Sequence, residues 1–255
     1  PFFPDLIISI SALFFLYYVF KNKTFYYFFN KPIIIYCIYC IYCILISIFV
    51  AKDVMLSFES SLFYFRIGVF SCFIWYLIDR DKSILVYFYY ALILCFSVLV
   101  IDGYFQFFNG ENLLGLKTSG SRISSFFGDE LIMGSYLSRL FPLLFALFLV
   151  KKKQKFEVYV VGLLFILVDV LIYMSGERSA FFFLNLSTVF IIILIKEYQL
   201  FRLVTFILAI VSVFAVSLNF PNLSDRMFKD PIKIMTKSSN ELIIFTPAHD
   251  SIIRT

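Results

Sequence analysis

Charge is scarce in this sequence. Of its 255 residues only 15% are Asp, Glu, Lys or Arg, while 62% are hydrophobic and the mean hydropathy is +0.93. A soluble globular domain runs at about 45–50% apolar and about 25% charged, which excludes that class and leaves a polytopic membrane protein. The net charge of +5 comes with no basic patch interleaved with aromatics. Nucleic acid is therefore not an expected partner, and the surplus reads as membrane-flanking loops. Histidine is nearly absent, His249 standing alone. No cluster of carboxylates and histidines is visible, so neither a metal nor a cofactor is expected. The five cysteines all fall in apolar stretches and imply no disulfide framework. Cys37, Cys40 and Cys43 repeat as IYCIYCIYC and mimic an iron–sulfur ligand run. Such a cluster needs a fourth thiolate and a loop around the metal, whereas these three step round an apolar helix and read as small packing residues. An initiating methionine is missing, Pro1 opening the chain, and Thr255 closes a polar stretch. The chain is expected to be a piece of a longer protein lacking both ends.

What is abundant is bulky apolar residue, with 36 Phe and 17 Tyr filling lipid-facing positions. A spanning helix needs about 20 apolar residues. The runs 5–20, 33–50, 60–78, 84–101, 131–150, 156–175, 179–196 and 200–219 meet or approach that length. The expected fold is all-α: a transmembrane helix bundle of about eight spans over residues 1–219, then the beginning of a large extracytoplasmic loop over 220–255. The stretch 102–130 mixes aromatics with Asn and Gly and is expected to lie at the outer interface.

Alternate connections hold the cations. Lys21, Lys23, Lys31, Arg80, Lys82, Lys151, Lys152, Lys153, Lys155, Lys196 and Arg202 stand against Asp79, Asp81 and Glu197. The positive-inside rule makes these connections cytoplasmic and the others outer. With 1.5 Å of rise per residue, Arg66 then lies ~9 Å, Arg139 ~12 Å and Asp169 ~9 Å below the outer helix ends. No charge is expected in the inner half of any span. A charge within a span costs about 2.5–3.5 kcal/mol on insertion scales and marks a functional position by default.

The stretch 119–150, SGSRISSFFGDELIMGSYLSRLFPLLFALFLV, concentrates these features. Arg122 precedes the adjacent carboxylates Asp129 and Glu130, and Arg139 lies inside the apolar run, followed by a Pro142 expected to kink it. Asp129 and Glu130 can cap the helix that follows, where its dipole favours anions. Arg66 and Asp169 can form an ion pair between spans. The surplus of guanidinium, with Arg178 in a tight outer turn, suits a phosphate or diphosphate, which Arg grips bidentately. His249 can serve as a general base or be a solvated loop residue.

The segment RISSFFGDELIMGSYLSRLFP from Arg122 to Pro142, followed by SGERSA in the outer turn, resembles the O-antigen ligase and O-antigen polymerase superfamily. The tail PAHDSIIRT resembles the beginning of that family's large periplasmic loop. The resemblance implies a glycosyltransferase of the bacterial inner membrane with its site facing the periplasm. It would take a glycan from undecaprenyl diphosphate and pass it to lipid A–core sugar or to a second lipid-linked repeat unit. It implies that Arg122, Arg139 and Arg178 hold the diphosphate; Arg66 is a further candidate for it, and Asp129, Glu130 and Asp169 are candidate supporting carboxylates. It also implies that the activating histidine lies beyond Thr255, since His249 is followed by Asp250 and comes too early. Two other readings stand beside it. A flippase or exporter of lipid-linked sugars would carry charges through the inner half and paired interrupted helices. A non-enzymatic subunit would spend its arginines on structural pairs.

Overall fold

The computed structural model describes residues 2–118, 122–150 and 155–229, and no strand occurs among them. The chain divides in the first turn of its fifth helix into two units, Pro1–Val86 and Tyr87–Thr255.

The first unit holds α1 (Phe2–Asn22), α2 (Lys31–Phe49), α3 (Val54–Leu62) and α4 (Phe65–Arg80). Asn30, extended, and Pro32 in the first turn start α2, where a missing N–H has nothing to lose. Asp53 starts α3 by accepting the Leu56 N–H at 3.1 Å. α1 and α4 pack through Phe15, Tyr27, Phe73 and Tyr76, whose rings approach to 5.6–6.2 Å. The expected span 60–78 is a broken helix. The backbone tightens at Phe63 and Tyr64, where Tyr64 N–H donates to Ser61 O and the Tyr36 hydroxyl donates to the Tyr64 carbonyl at 2.9 Å. Arg66 follows the break and pairs with Asp5 at 3.0 Å. Cys37, Cys40 and Cys43 all lie on α2, one exposed, one buried and one between.

The second unit holds α5 (Ile84–Asn109), α6 (Met133–Val150), α7 (Lys155–Met174), α8 (Arg178–Leu194) and α9 (Gln199–Asn219). A helical turn, Pro221–Ser224, and a wider one, Asp225–Lys229, follow. α7 is central: Val161, Phe165, Val168, Leu171, Ile172 and Tyr173 are all buried, so its apolar residues run right round the helix. α8 joins α7 to α9, so those two run in the same direction. Phe141, Phe145 and Phe148 of α6 meet Phe165 of α7 and Phe201 of α9 with centroids 5.0–6.1 Å apart. Lipid tails are as apolar as these rings, so close van der Waals packing holds this core rather than exclusion of water. Pro142 sits inside α6, which continues through it to Val150.

Among the described residues, seven helical stretches are long and apolar enough to cross a membrane: α1, α2, α3 with α4, α5, α6, α7 and α9. This is a multi-pass helical membrane protein. α8 falls where an eighth span was expected, but its 17 residues reach only about 25 Å, short of a hydrocarbon core of about 30 Å.

Candidate functional site

Residues 102–109, expected to lie along the interface, are helical and form the last two turns of α5, and Asp102 and Gln106 there are fully buried. Spaced by four, they share a face. Asp102 accepts from Leu113 N–H at 2.9 Å and from the Ser125 hydroxyl at 2.5 Å. The Gln106 side-chain carbonyl accepts from the N–H groups of Ser124 and Ser125 at 3.0 and 2.7 Å, and its amide donates to Leu116 O at 3.1 Å. The loop is thus tied to a membrane helix at both ends, and Arg122 is held two residues before the tie. Arg122 Nη2 donates to Leu131 O at 3.0 Å, while its Nε is buried and meets no hydrogen-bond partner among the described residues.

The turn SGER supplies the second half of the site. α7 closes with Ser175 N–H on Leu171 O and Gly176 N–H on Tyr173 O, and Gly176 takes φ +70°, the left-handed conformation in which a Cβ is penalised. A Cβ there would also lie 3.1 Å from Arg226 Nε and 3.6 Å from Arg122 Cγ. The glycine therefore lets two arginines close on the turn. Arg178 is next but one, and its Nε donates to the Arg226 carbonyl at 2.9 Å. Three guanidinium side chains surround one tight turn.

Glu177, between them in the turn, is engaged elsewhere. Its carboxylate is buried and accepts from Gly134 N–H at 2.7 Å, Ser135 N–H at 3.0 Å and the Ser135 hydroxyl at 2.6 Å. It caps α6 from another helix's end, where unpaired N–H groups and the dipole favour an anion. Gly134 makes room for this contact, because a Cβ would collide with the Ser175 hydroxyl and meet Glu177 Oε1 at 3.0 Å, so one of those side chains would have to move. The expected caps, Asp129 and Glu130, are instead exposed and outside the first turn of α6. The Glu177 carboxylate from the SGER turn takes the N–H groups that they would have capped.

Below the turn lies an apolar slot of about 260 Å³ between α7, α8 and α9, lined by Phe181, Leu184, Phe206, Val213 and Phe214 and reaching Asp169. A second cavity of about 330 Å³ shares Phe181, Asn185 and Phe228 with it and opens at Arg178. Together they run from a cation at the helix end into the apolar layer.

Asp169 does not pair with Arg66, as the sequence allowed. Each found a partner in its own unit, and that of Asp169 is Arg202, at 3.0 Å. Arg202, expected in a cytoplasmic connection, is fully buried in α9. Its guanidinium donates to Thr188 Oγ1 at 2.6 Å and to Thr205 Oγ1 at 3.4 Å, and lies over the Phe141 ring at 4.4 Å. Arg202 was counted as loop because it sits at the edge of its apolar run, whereas its guanidinium lies inside the bundle against Asp169.

The sequence-predicted cations are thus divided. Arg122 and Arg178 come together. Arg139 is exposed on α6, one turn beyond Ser135 on the same face, with no ion pair or hydrogen bond among the described residues. Arg66 is engaged with Asp5 in the first unit. His249 lies outside the described residues. Arg226, Glu177, Asp102 and Arg202 were missed as site or scaffold residues. Only the Asp102–Gln106 spacing at the end of an apolar run offered a local signal. Compared with protein-family models, curated proteins and solved structures, the chain has no match in any of the three.

Proposed function

We propose that this chain binds an anionic polyprenyl diphosphate carrier and transfers its glycan to a sugar hydroxyl, in the manner of the O-antigen ligases and polymerases that residues 122–142 and SGERSA resemble. The observation that carries the reading is the placement of Arg122, Arg178 and Arg226 around the Gly176 turn, with Arg178 lining a cavity that adjoins an apolar slot. A ligand with a doubly anionic head and one hydrocarbon chain complements both parts. Guanidinium grips phosphate bidentately, and Arg178 presents one at the opening of the second cavity. Undecaprenyl diphosphate bearing a glycan is the donor on this reading, and lipid A–core sugar or a second lipid-linked repeat is the acceptor. The site faces the periplasm from the bacterial inner membrane.

In the transfer, the acceptor hydroxyl oxygen bonds to the anomeric carbon as the bond from that carbon to the phosphate oxygen breaks. The electron pair leaves with the diphosphate, and the hydroxyl proton passes to a base. The arginines act on the leaving group, stabilising the charge that grows on its oxygen in a water-poor setting. Glu177 keeps α6 and the turn in register, so that the cations are preplaced.

One observation favours a second reading, a carrier that moves lipid-linked sugars across the membrane: Arg202 is an intramembrane charge of the kind transporters use. Its closure by Asp169, Thr188 and Phe141 instead supports a structural pair. The two part company in an assay of glycan transfer by full-length protein at matched expression. Arg122→Lys and Arg178→Lys are expected to lose about 10²–10³-fold, close to the alanine variants, because a point charge lacks the planar fork. Wild-type transfer in both lysine variants overturns the bidentate role, and absence of any transfer by the wild type overturns the enzyme.

A further inference from the structure

A further cavity lies at the end of α9, beside the residues that lead to Arg226. It measures about 280 Å³ and is lined by Phe107 from the end of α5, by Thr118 and Ile123 from the tied loop, and by Asn219, Phe220 and Asn222 from the end of α9. Resting on the transferase reading, we propose that this cavity is the subsite for the acceptor glycan, and that it takes a neutral pyranose ring.

Three observations carry this. The first is chemistry. No Asp, Glu, Lys or Arg lines the cavity, yet it presents two amides, a hydroxyl and two aromatic rings. Asn219 spends its amide on Ala215 O at 2.8 Å, which leaves its carbonyl oxygen as an acceptor, and the exposed Asn222 side chain makes no hydrogen bond among the described residues. Phe107 and Phe220 meet edge to face at 4.8 Å, so one apolar ring face is offered beside polar groups. A sugar ring has that pattern: C–H groups on its faces and hydroxyls on its rim. The cavity falls just short of the usual lower bound of about 300 Å³ for a ligand pocket, which suits one ring and not an extended oligosaccharide.

The second is position. Ile123 is the neighbour of Arg122, and Leu223, at the cavity floor, is three residues before Arg226. The chain that lines this cavity thus continues, within one to three residues, into the two arginines that close on Gly176. A transferase must bring two substrates to one point, and a sugar cavity so close in the chain to those cations suits that need.

The third is rigidity. Thr118 N–H donates to Gly110 O at 3.0 Å, and Ser124 and Ser125 are tied to Gln106, so both loop walls are fixed to α5. Leu223 is buried, which anchors the third wall.

The test uses the full chain in nanodiscs and saturation-transfer NMR with methyl glycosides of glucose, galactose, mannose, rhamnose and N-acetylglucosamine. At least one glycoside is expected to receive saturation, with Phe220 or Phe107 protons as the source. Asn222→Trp, which fills the cavity from an exposed position, is expected to abolish that signal. Asn222→Ala is expected to weaken binding about two- to tenfold, the worth of one hydrogen bond. Binding of undecaprenyl diphosphate is measured on the same samples and is expected to be unchanged in both variants. Saturation of no glycoside, or saturation that survives Asn222→Trp, overturns the subsite while leaving the diphosphate reading intact. Glycoside binding without diphosphate binding retains a sugar site and overturns the reading on which it rests.

Discussion

Removing the Glu177 carboxylate leaves the N–H groups of Gly134 and Ser135 facing no acceptor at the start of α6. Hydrogen bonds to a buried charge are worth about 1.5–3 kcal/mol, so Glu177→Ala is expected to lower the detergent melting temperature by several degrees. Glu177→Gln, which keeps one acceptor oxygen, is expected to lose less. An alanine variant that melts with the wild type would show that α6 does not depend on this cap. The buried pair Asp169–Arg202 makes a sharper case. Asp169→Ala strands a guanidinium with 0% exposed side chain, a change that costs about 3–5 kcal/mol. The double variant Asp169→Leu with Arg202→Met removes both charges and is expected to match or exceed wild-type stability. If the single and double variants are equally unstable, the pair holds the bundle by something other than mutual neutralisation. If the double variant is stable but glycan handling fails, Arg202 has a role beyond structure.

Among the elements, apolar length is a local property, and that is why α2, α6, α7 and α9 were legible from the sequence to within a few residues. What was illegible depended on distant partners. The last two turns of α5 carry Asp102, Gln106 and Asn109, which break the apolar run and looked like interface. Two of those side chains are satisfied by a loop 10 to 23 residues away, not by water. Arg202 sits at the edge of its run, and its partner is 33 residues earlier. Glu177 acts on a helix 42 to 43 residues before it. The arginine cluster was half legible: Arg122 and Arg178 stood out, whereas Arg226 lay in a polar tail that gave no sign of folding back over Gly176. The tie between α5 and its loop has a direct consequence. Asp102→Ala is expected to speed exchange of the Leu113 amide hydrogen about ten- to hundredfold, since a charge-assisted bond worth about 1.5–3 kcal/mol is lost. Unchanged exchange would mean that the loop is held elsewhere.

At the scale of the molecule, the open point of architecture is α8. Reporter fusions after Lys153 and after Ser239 bracket α7, α8 and α9. Three crossings put the two points on opposite sides, with Lys153 in the cytoplasm by the positive-inside rule. Because α7 and α9 run in the same direction, α8 has to return the chain between them, and fusions reporting the same side would contradict that arrangement. The lysine-rich connection predicts opposite sides, and a shared side would withdraw the periplasmic placement of the cluster. The central claim, that the arginines of the Gly176 turn and the slot beneath them hold one amphiphile, is tested most directly by equilibrium binding of tritiated undecaprenyl diphosphate to the full chain in nanodiscs. Val213→Trp narrows the slot, and Arg178→Lys keeps the charge but removes the fork. Each is expected to weaken binding at least about tenfold, a change equivalent to about 1.4 kcal/mol. Wild-type affinity in both variants would contradict the account.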